Sequence, residues 1–253
     1  MSKIKIISWN INGIRTRFKN NEIEPIFNED PDIILFQETK AEYKQLEDKL
    51  KKMENYYTYF SPGESTRVGG IASFSKIKPK LVKKFFKFPD ELLKIRVMNL
   101  IFDDYNLIHI YPPSGSGAKV NQEKKLEFFR KLLDYLKLNN KKTIIAGDFG
   151  IAHSEKDIIN PESASKSINF LEEERKILDD LEQIGFIDAF RLLNEDEIQY
   201  SSWKSQKAKE KGEGARIDYF FVSEDMKDSI ESATIMNDVE GSKHAPIQLV
   251  IDI

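Results

Sequence analysis

The chain has 253 residues, 40% of them hydrophobic, and a formal net charge of −3. A chain of this length can bury most of its apolar surface in one core, and the near balance of charge excludes broad electrostatic adhesion to DNA or membrane, though not a local basic rim. With no cysteine there is no disulfide partner and no thiolate metal site, and no apolar run has the length of a membrane span or a signal peptide.

No Ser/Gly tract, Pro-rich stretch or block of like charge marks a linker, so one domain over residues 1–253 is expected. In chain order, apolar β-branched runs predict strands at 4–9 and 32–37, with weak helices at 21–29 and 41–53. Further strands are predicted at 56–60, 69–75, 80–86, 94–102 and 105–111. The helix 119–138 is the strongest, because Leu126, Phe129, Leu132, Leu133 and Leu136 recur at three-to-four spacing. After a strand at 143–147, a helix at 169–184 carries Phe170, Ile177, Leu178, Leu181 and Ile184 on one stripe, and Gly185 stops it. Strands at 198–203, 216–222, 232–236 and 246–252 complete the set. So many strands exceed a comfortable open sheet, which predicts an α/β fold of two packed sheets with helices outside.

Three strands stop abruptly at polar residues. Residues 6–13 (IISWNING), 32–39 (DIILFQET) and 143–150 (TIIAGDFG) end near Asn10, Glu38 and Asp148. The first and third echo one another, a weak hint of two related halves. Ligands of open α/β sheets gather where strands end. Three such ends on one rim would form an oxygen-rich pocket for a hard cation.

These endings carry a family resemblance. The strings ISWNINGIR at 7–15, DIILFQETK at 32–40, Gly147-Asp148-Phe149 with Ile151-Ala152-His153, RIDYFFVS at 216–223 and His244-Ala245-Pro246-Ile247 stand in one order along the chain. Together they resemble the exonuclease III family of apurinic/apyrimidinic endonucleases, within the endonuclease/exonuclease/phosphatase superfamily. The resemblance implies a four-layer sandwich of two packed mixed β-sheets flanked by helices. It implies a divalent-metal-dependent DNA phosphodiesterase of base excision repair, cutting 5′ to abasic sites, removing nucleotides from 3′ ends, or both. The implied cofactor is Mg²⁺ or Mn²⁺, and the implied partner is double-stranded DNA carrying abasic or other damage. A monomer is expected, in the cytoplasm or on the nucleoid, with no membrane partner.

By the same resemblance Glu38 is the principal metal ligand, with Asn10 beside it and Asp148 at the metal's edge. Asp148 also orients or deprotonates the attacking water. Tyr111 begins the Tyr-Pro loop, and Asp218 with His244 forms the pair near the scissile phosphate. Candidate DNA contacts are Asn12, Arg67, Ser114, Trp203, Lys204, Lys207 and Arg216. Each role is chemically reasonable, since Mg²⁺ is satisfied by one or two carboxylates plus water and water attack needs a positioned base.

Four departures from the family pattern stand out. Gly150 stands where a side-chain amide is expected, Lys243 where a carboxylate is, and Ser114 where an asparagine is. Ser202 and Ala215 are small where bulky residues are common near Trp203. They leave open a weakened or catalytically silent nucleic-acid-binding relative, and a phosphodiesterase acting on another phosphoester. Simpler readings also stand: Asn10, Asn12 and Gly13 as a turn, Arg216 as the partner of Asp218 on one strand face, and His109 as a satisfied core residue. The lysines at 204, 207, 209 and 211 would then be a solvated face.

Overall fold

A computed structural model of the chain describes residues 2–65, 67–83, 95–117 and 119–253. The predicted strand residues 84–86 and 94 lie outside them, as does Thr66. From the N-terminus come β1 (Lys3–Asn10), α1 (Ile14–Lys19), α2 (Glu24–Asn28), β2 (Ile33–Gln37), α3 (Asp48–Lys51), β3 (Tyr57–Ser65) and β4 (Val68–Ser75). Then follow β5 (Leu81–Lys83), β6 (Val97–Ile101), β7 (Asn106–Ile110), α4 (Lys119–Leu136), β8 (Thr143–Asp148), α5 (Pro161–Ala164) and α6 (Glu172–Gln183). The chain ends through β9 (Phe186–Asp188), α7 (Ala189–Leu193), β10 (Ser202–Trp203), α8 (Gln206–Glu210), β11 (Gly214–Ala215), β12 (Asp218–Ser223), β13 (Ile230–Ile235) and β14 (Ile247–Asp252).

Two six-stranded sheets form, in the orders β13-β14-β1-β2-β4-β3 and β5-β6-β7-β8-β12-β9. Both are mixed, with one central parallel pair each: β1 beside β2, and β7 beside β8. The sheets bury their facing sides against each other through Ile4, Ile6, Leu35, Leu107, Ile144, Phe220 and Leu249. The outer face of the first sheet is covered around Ile14, Ile26 and Leu50 of α1, α2 and α3. That of the second is covered by Phe129 and Leu132 of α4 and Leu178 of α6. Covering both faces explains why β2 and β8 read as unbroken apolar runs.

The echo between residues 6–13 and 143–150 has a structural counterpart. Each segment belongs to its sheet's central parallel pair, and their ends meet where the Asn10 amide donates to Asp148 at 2.8 Å. Gly147 makes this possible, because at its φ of +148° a Cβ would lie 2.0 Å from the Ile110 carbonyl oxygen. Only glycine lets β7 and β8 approach there.

His109 is the satisfied core residue. Nδ1 lies 3.0 Å from Ser73 Oγ and Nε2 lies 2.7 Å from Gln37 Nε2. Since Gln37 Nε2 only donates, Nε2 accepts and Nδ1 carries the hydrogen. Burial pulls the imidazole pKa down to about 3.

Several predictions of extent need correction. The helix expected from 169 begins at Glu172, because Asn169 is left-handed and Leu171 extended. The segment 41–53 gives only a 3₁₀ turn at Tyr43–Gln45 and α3, since Leu46 between them is extended. The run 198–203 is a strand only at Ser202–Trp203, and the run from 216 only from Asp218. The short elements α1, β9, α7, α8 and β11 left too little periodicity to be seen.

Candidate active site

The polar strand ends meet at one edge of the sandwich, in a cavity of about 650 Å³ whose wall includes Asn10, Glu38, Tyr111, Asp148 and His244. Asp148 is buried at the end of β8. Its Oδ1 accepts the Gly150 N–H at 2.9 Å and its Oδ2 the Asn10 amide. Antiparallel pairing sets Asp218 of β12 directly opposite it. Burial first, and then the Asp218 charge, pushes the Asp148 pKa up to about 6.

His244 bridges the two aspartates. Nδ1 lies 2.9 Å from Asp218 Oδ2, and Nε2 lies 3.2 Å from Ser202 Oγ and 4.0 Å from Asp148 Oδ2. Burial opposes its charge, but the Asp218 and Asp148 carboxylates win and raise its pKa to about 9. The ring is therefore an imidazolium near neutral pH. Asp218 is held in turn by the Ser201 hydroxyl at 2.6 Å. Its partner is thus His244 and not Arg216, which corrects the simpler reading of that strand.

Glu38 lines the same cavity. It sits just past β2 in the left-handed region, φ +52°, as do Asn12 and Lys40 nearby. Non-glycine residues rarely hold this conformation, and strained backbone of this kind concentrates at functional sites. The Tyr111 hydroxyl donates to Glu38 Oε1, and Lys40 Nζ pairs with Oε2 at 2.9 Å. Burial would raise the Glu38 pKa, but Tyr111 and Lys40 hold it below the ordinary value. Burial and the carboxylates of Glu38 and Asp148 push the Tyr111 phenol well above its own, so it remains a donor.

The donor set fits a hard divalent cation. Glu38, Asn10 and Asp148 offer only oxygens, two of the groups are carboxylates, and Mg²⁺ is content with that plus water. His244 offers no lone pair, because both ring nitrogens face partners and the ring is charged. The cluster of Asp148, Asp218 and His244 is therefore an ion-paired triad rather than a ligand cage.

The chain resembles known proteins along nearly its whole length. Residues 7–233 match the model described as the Endonuclease/Exonuclease/phosphatase family. The chain belongs to this family. An exodeoxyribonuclease of Bacillus subtilis (strain 168) is 34% identical over 255 residues, spanning 99% of this chain and 100% of that one. DNA repair nuclease APEX1 of Danio rerio is 32% identical, over 100% of this chain and 83% of its own. Among solved structures, an AP endonuclease from Archaeoglobus fulgidus superposes with a TM-score of 0.89 at 24% identity, covering 99% and 100% of the two chains.

The remaining sequence-predicted residues divide around this cavity. Ser114, Trp203 and Lys204 line the cavity. Arg67 and Lys207 are exposed, and Asn12 binds Lys40 through its side-chain oxygen. Arg216 must be withdrawn as a DNA contact. It is buried, donates from Nε to Asp157 at 2.7 Å, lies 2.7 Å from Asp188, and stacks on Tyr219. A guanidinium so enclosed cannot reach a phosphate. Lys209 is likewise turned inward, over the Trp203 ring and onto the Asn237 carbonyl. His153 is half-buried, 2.8 Å from the exposed carboxylate of Asp179. Sequence reasoning missed Lys40, Ser201, Ser202 and Ser242, whose Oγ donates to the Asn10 carbonyl at 2.7 Å. Lys40 carried one signal, its place two residues after Glu38.

Among the described residues no helix is long and apolar enough to cross a membrane.

Proposed function

We propose that the protein is a DNA phosphodiesterase of exonuclease III type, acting as a monomer on damaged or abasic duplexes with Mg²⁺ or Mn²⁺. The observation that carries the reading is the meeting of Glu38 and the Asp148–His244–Asp218 triad across one cleft. Glu38 and Asn10, with Asp148 at their edge, would hold the cation. When bound, it supplies charge neutralisation at the phosphoryl group.

The chain's own groups do the rest. Asp148, with its pKa near 6, is ionised at neutral pH yet basic enough to take a proton from water. Asn10 and the Gly150 N–H fix which carboxylate oxygens are already engaged. The His244 imidazolium, held by Asp218, presents positive charge to a non-bridging phosphate oxygen. Tyr111 holds Glu38 in place as a neutral donor. Apolar walls at Ile158, Ile168, Trp203 and Ala215 suit a deoxyribose turned out of the duplex.

Incubation with a labelled abasic duplex and an undamaged 3′-recessed duplex, each with and without Mg²⁺, tests this. Metal-dependent scission of either supports it. Binding without product at enzyme excess, or cleavage undiminished by excess chelator, refutes it.

A further inference from the structure

Lys125 is wholly buried in α4, and nothing in the mechanism above uses it. Its ammonium reaches Glu174 Oε1 at 2.5 Å, the Gly150 carbonyl at 2.7 Å and Asn169 Oδ1 at 3.5 Å. Burying such a pair costs desolvation that its attraction barely returns, so it gives little net stability and sets geometry instead. The geometry it sets is that of Asn169. A lysine ammonium can only donate, so the Asn169 side chain must turn its oxygen toward Lys125 and its NH₂ away. Among the described residues that NH₂ has no protein acceptor, and Asn169 lines the catalytic cavity.

Gly150 lies directly beside it. A Cβ built on Gly150 would be 3.8 Å from Asn169 Oδ1 and 3.6 Å from Lys125 Nζ. The space a side chain at 150 would enter therefore adjoins the Asn169 amide. Asn169 holds its place at φ +80°, a left-handed conformation, with its carbonyl accepting from Ala152 at 2.7 Å. Strain of this kind is kept where surroundings enforce it, often at a site.

We infer that Asn169, aimed by Lys125 and Glu174, supplies the phosphate-directed amide donor that Gly150 lacks, so that the chain carries this group on a different segment. The inference rests on the phosphodiesterase reading. Asn169 is the catalytic donor and Lys125 a positioning residue.

Four chains decide it: wild type, Asn169→Ala, Asn169→Asp and the double variant Gly150→Asn/Asn169→Gly. Cleavage of the abasic duplex in Mg²⁺ should fall about 10²-fold in kcat for Asn169→Ala, the usual cost of one preorganised donor, with KM rising only severalfold. Asn169→Asp keeps the shape and the Lys125 bond but loses the donor, and should fall at least as far. The double variant should regain most of the rate. Affinity for the uncleaved duplex in excess chelator needs no turnover and should weaken severalfold in Asn169→Ala. A wild type that binds but cuts nothing ends the phosphodiesterase reading, while the affinity arm still judges Asn169. Wild-type rate and wild-type affinity in Asn169→Ala and Asn169→Asp, even alongside lower thermal stability, would overturn the inference.

Discussion

Two buried clusters of aspartate and cation flank the segment Arg216-Ile217-Asp218, and they behave oppositely. On one side Asp157 accepts from Arg216 and Arg191 at 2.7 Å each, and from the Ser154 amide and hydroxyl at 2.9 and 2.8 Å. Burial alone would raise its pKa, but Arg216 and Ser154 hold it down at about 2. On the other side Asp148 faces Asp218 and rises to about 6. Both clusters are buried and hydrogen-bonded. The difference is that every lone pair of Asp157 meets a donor, whereas Asp148 shares one imidazolium with a second carboxylate. A fully answered charge stabilises; an under-answered one marks a candidate for chemistry.

The sharpest way to break this contrast is to neutralise each aspartate. Asp148→Asn should lower the cleavage rate by about 10² to 10⁴, the range of a general base, with a melting temperature at or above wild type because like-charge repulsion is relieved. Asp157→Ala should do the reverse. Arg216 would keep Asp188 but lose its Nε partner, and Arg191 would lose its carboxylate; the change should cost roughly 3–5 kcal/mol of stability, the range for breaking a buried pair, with the rate per folded molecule retained. Denaturant unfolding beside single-turnover cleavage reads both. Loss of stability in the first variant, or of rate in folded second variant, erases the distinction.

How much of this was legible in the chain follows the same division. The strands ending at Asn10, Glu38 and Asp148 could be read because a continuous apolar run broken by one polar residue is a local pattern. The two sheets followed from strand number, and the family strings then named the candidate site. Arg216 could not be placed. Its neighbours on the strand suggested Asp218, but its real partners, Asp157 and Asp188, lie 59 and 28 residues away in sequence, on a 3₁₀ turn and on β9. Lys125 was hidden for the same reason: amid a helix rich in lysines, only tertiary packing distinguishes the one that is buried.

Proton linkage sharpens the comparison further. The rate should climb with pH as Asp148 ionises, with its limb at or below about 6 because a bound cation adds to the influences that favour the charged form. It should fall as His244 loses its proton near pH 9. Asp218→Asn removes the largest influence holding that proton, so the alkaline limb should move toward the ordinary imidazole value of 6.5. For stability the signs differ. The Asp157 contribution, about 2 kcal/mol for its downward shift, is present above pH 3.8 and lost as pH falls through about 2. His109, neutral when folded, adds its own loss from pH 6.5 down toward 3. A cleavage profile with no alkaline limb, or a Asp218→Asn profile identical to wild type, would remove His244⁺ from the account.

The smallest expected effects separate inward from outward cations. Arg67, Lys204 and Lys207 are exposed, and each phosphate they meet on a duplex releases condensed counterions. Replacing any one by alanine should weaken duplex binding and lower the slope of log affinity against log salt by about 1. Arg216→Lys should leave that slope unchanged while lowering the melting temperature, because a lysine cannot reproduce the planar fork that meets Asp157 and Asp188 at once. Lys209→Ala should also spare the slope, since its ammonium is spent on the Trp203 ring and the Asn237 carbonyl. Titrating each variant with one labelled duplex across a salt series measures all of these slopes together. A reduced slope for Arg216→Lys or Lys209→Ala would mean that inward packing and outward phosphate contact are not alternatives in this molecule, and the division between its two kinds of charge would fail at the rim as well as at the core.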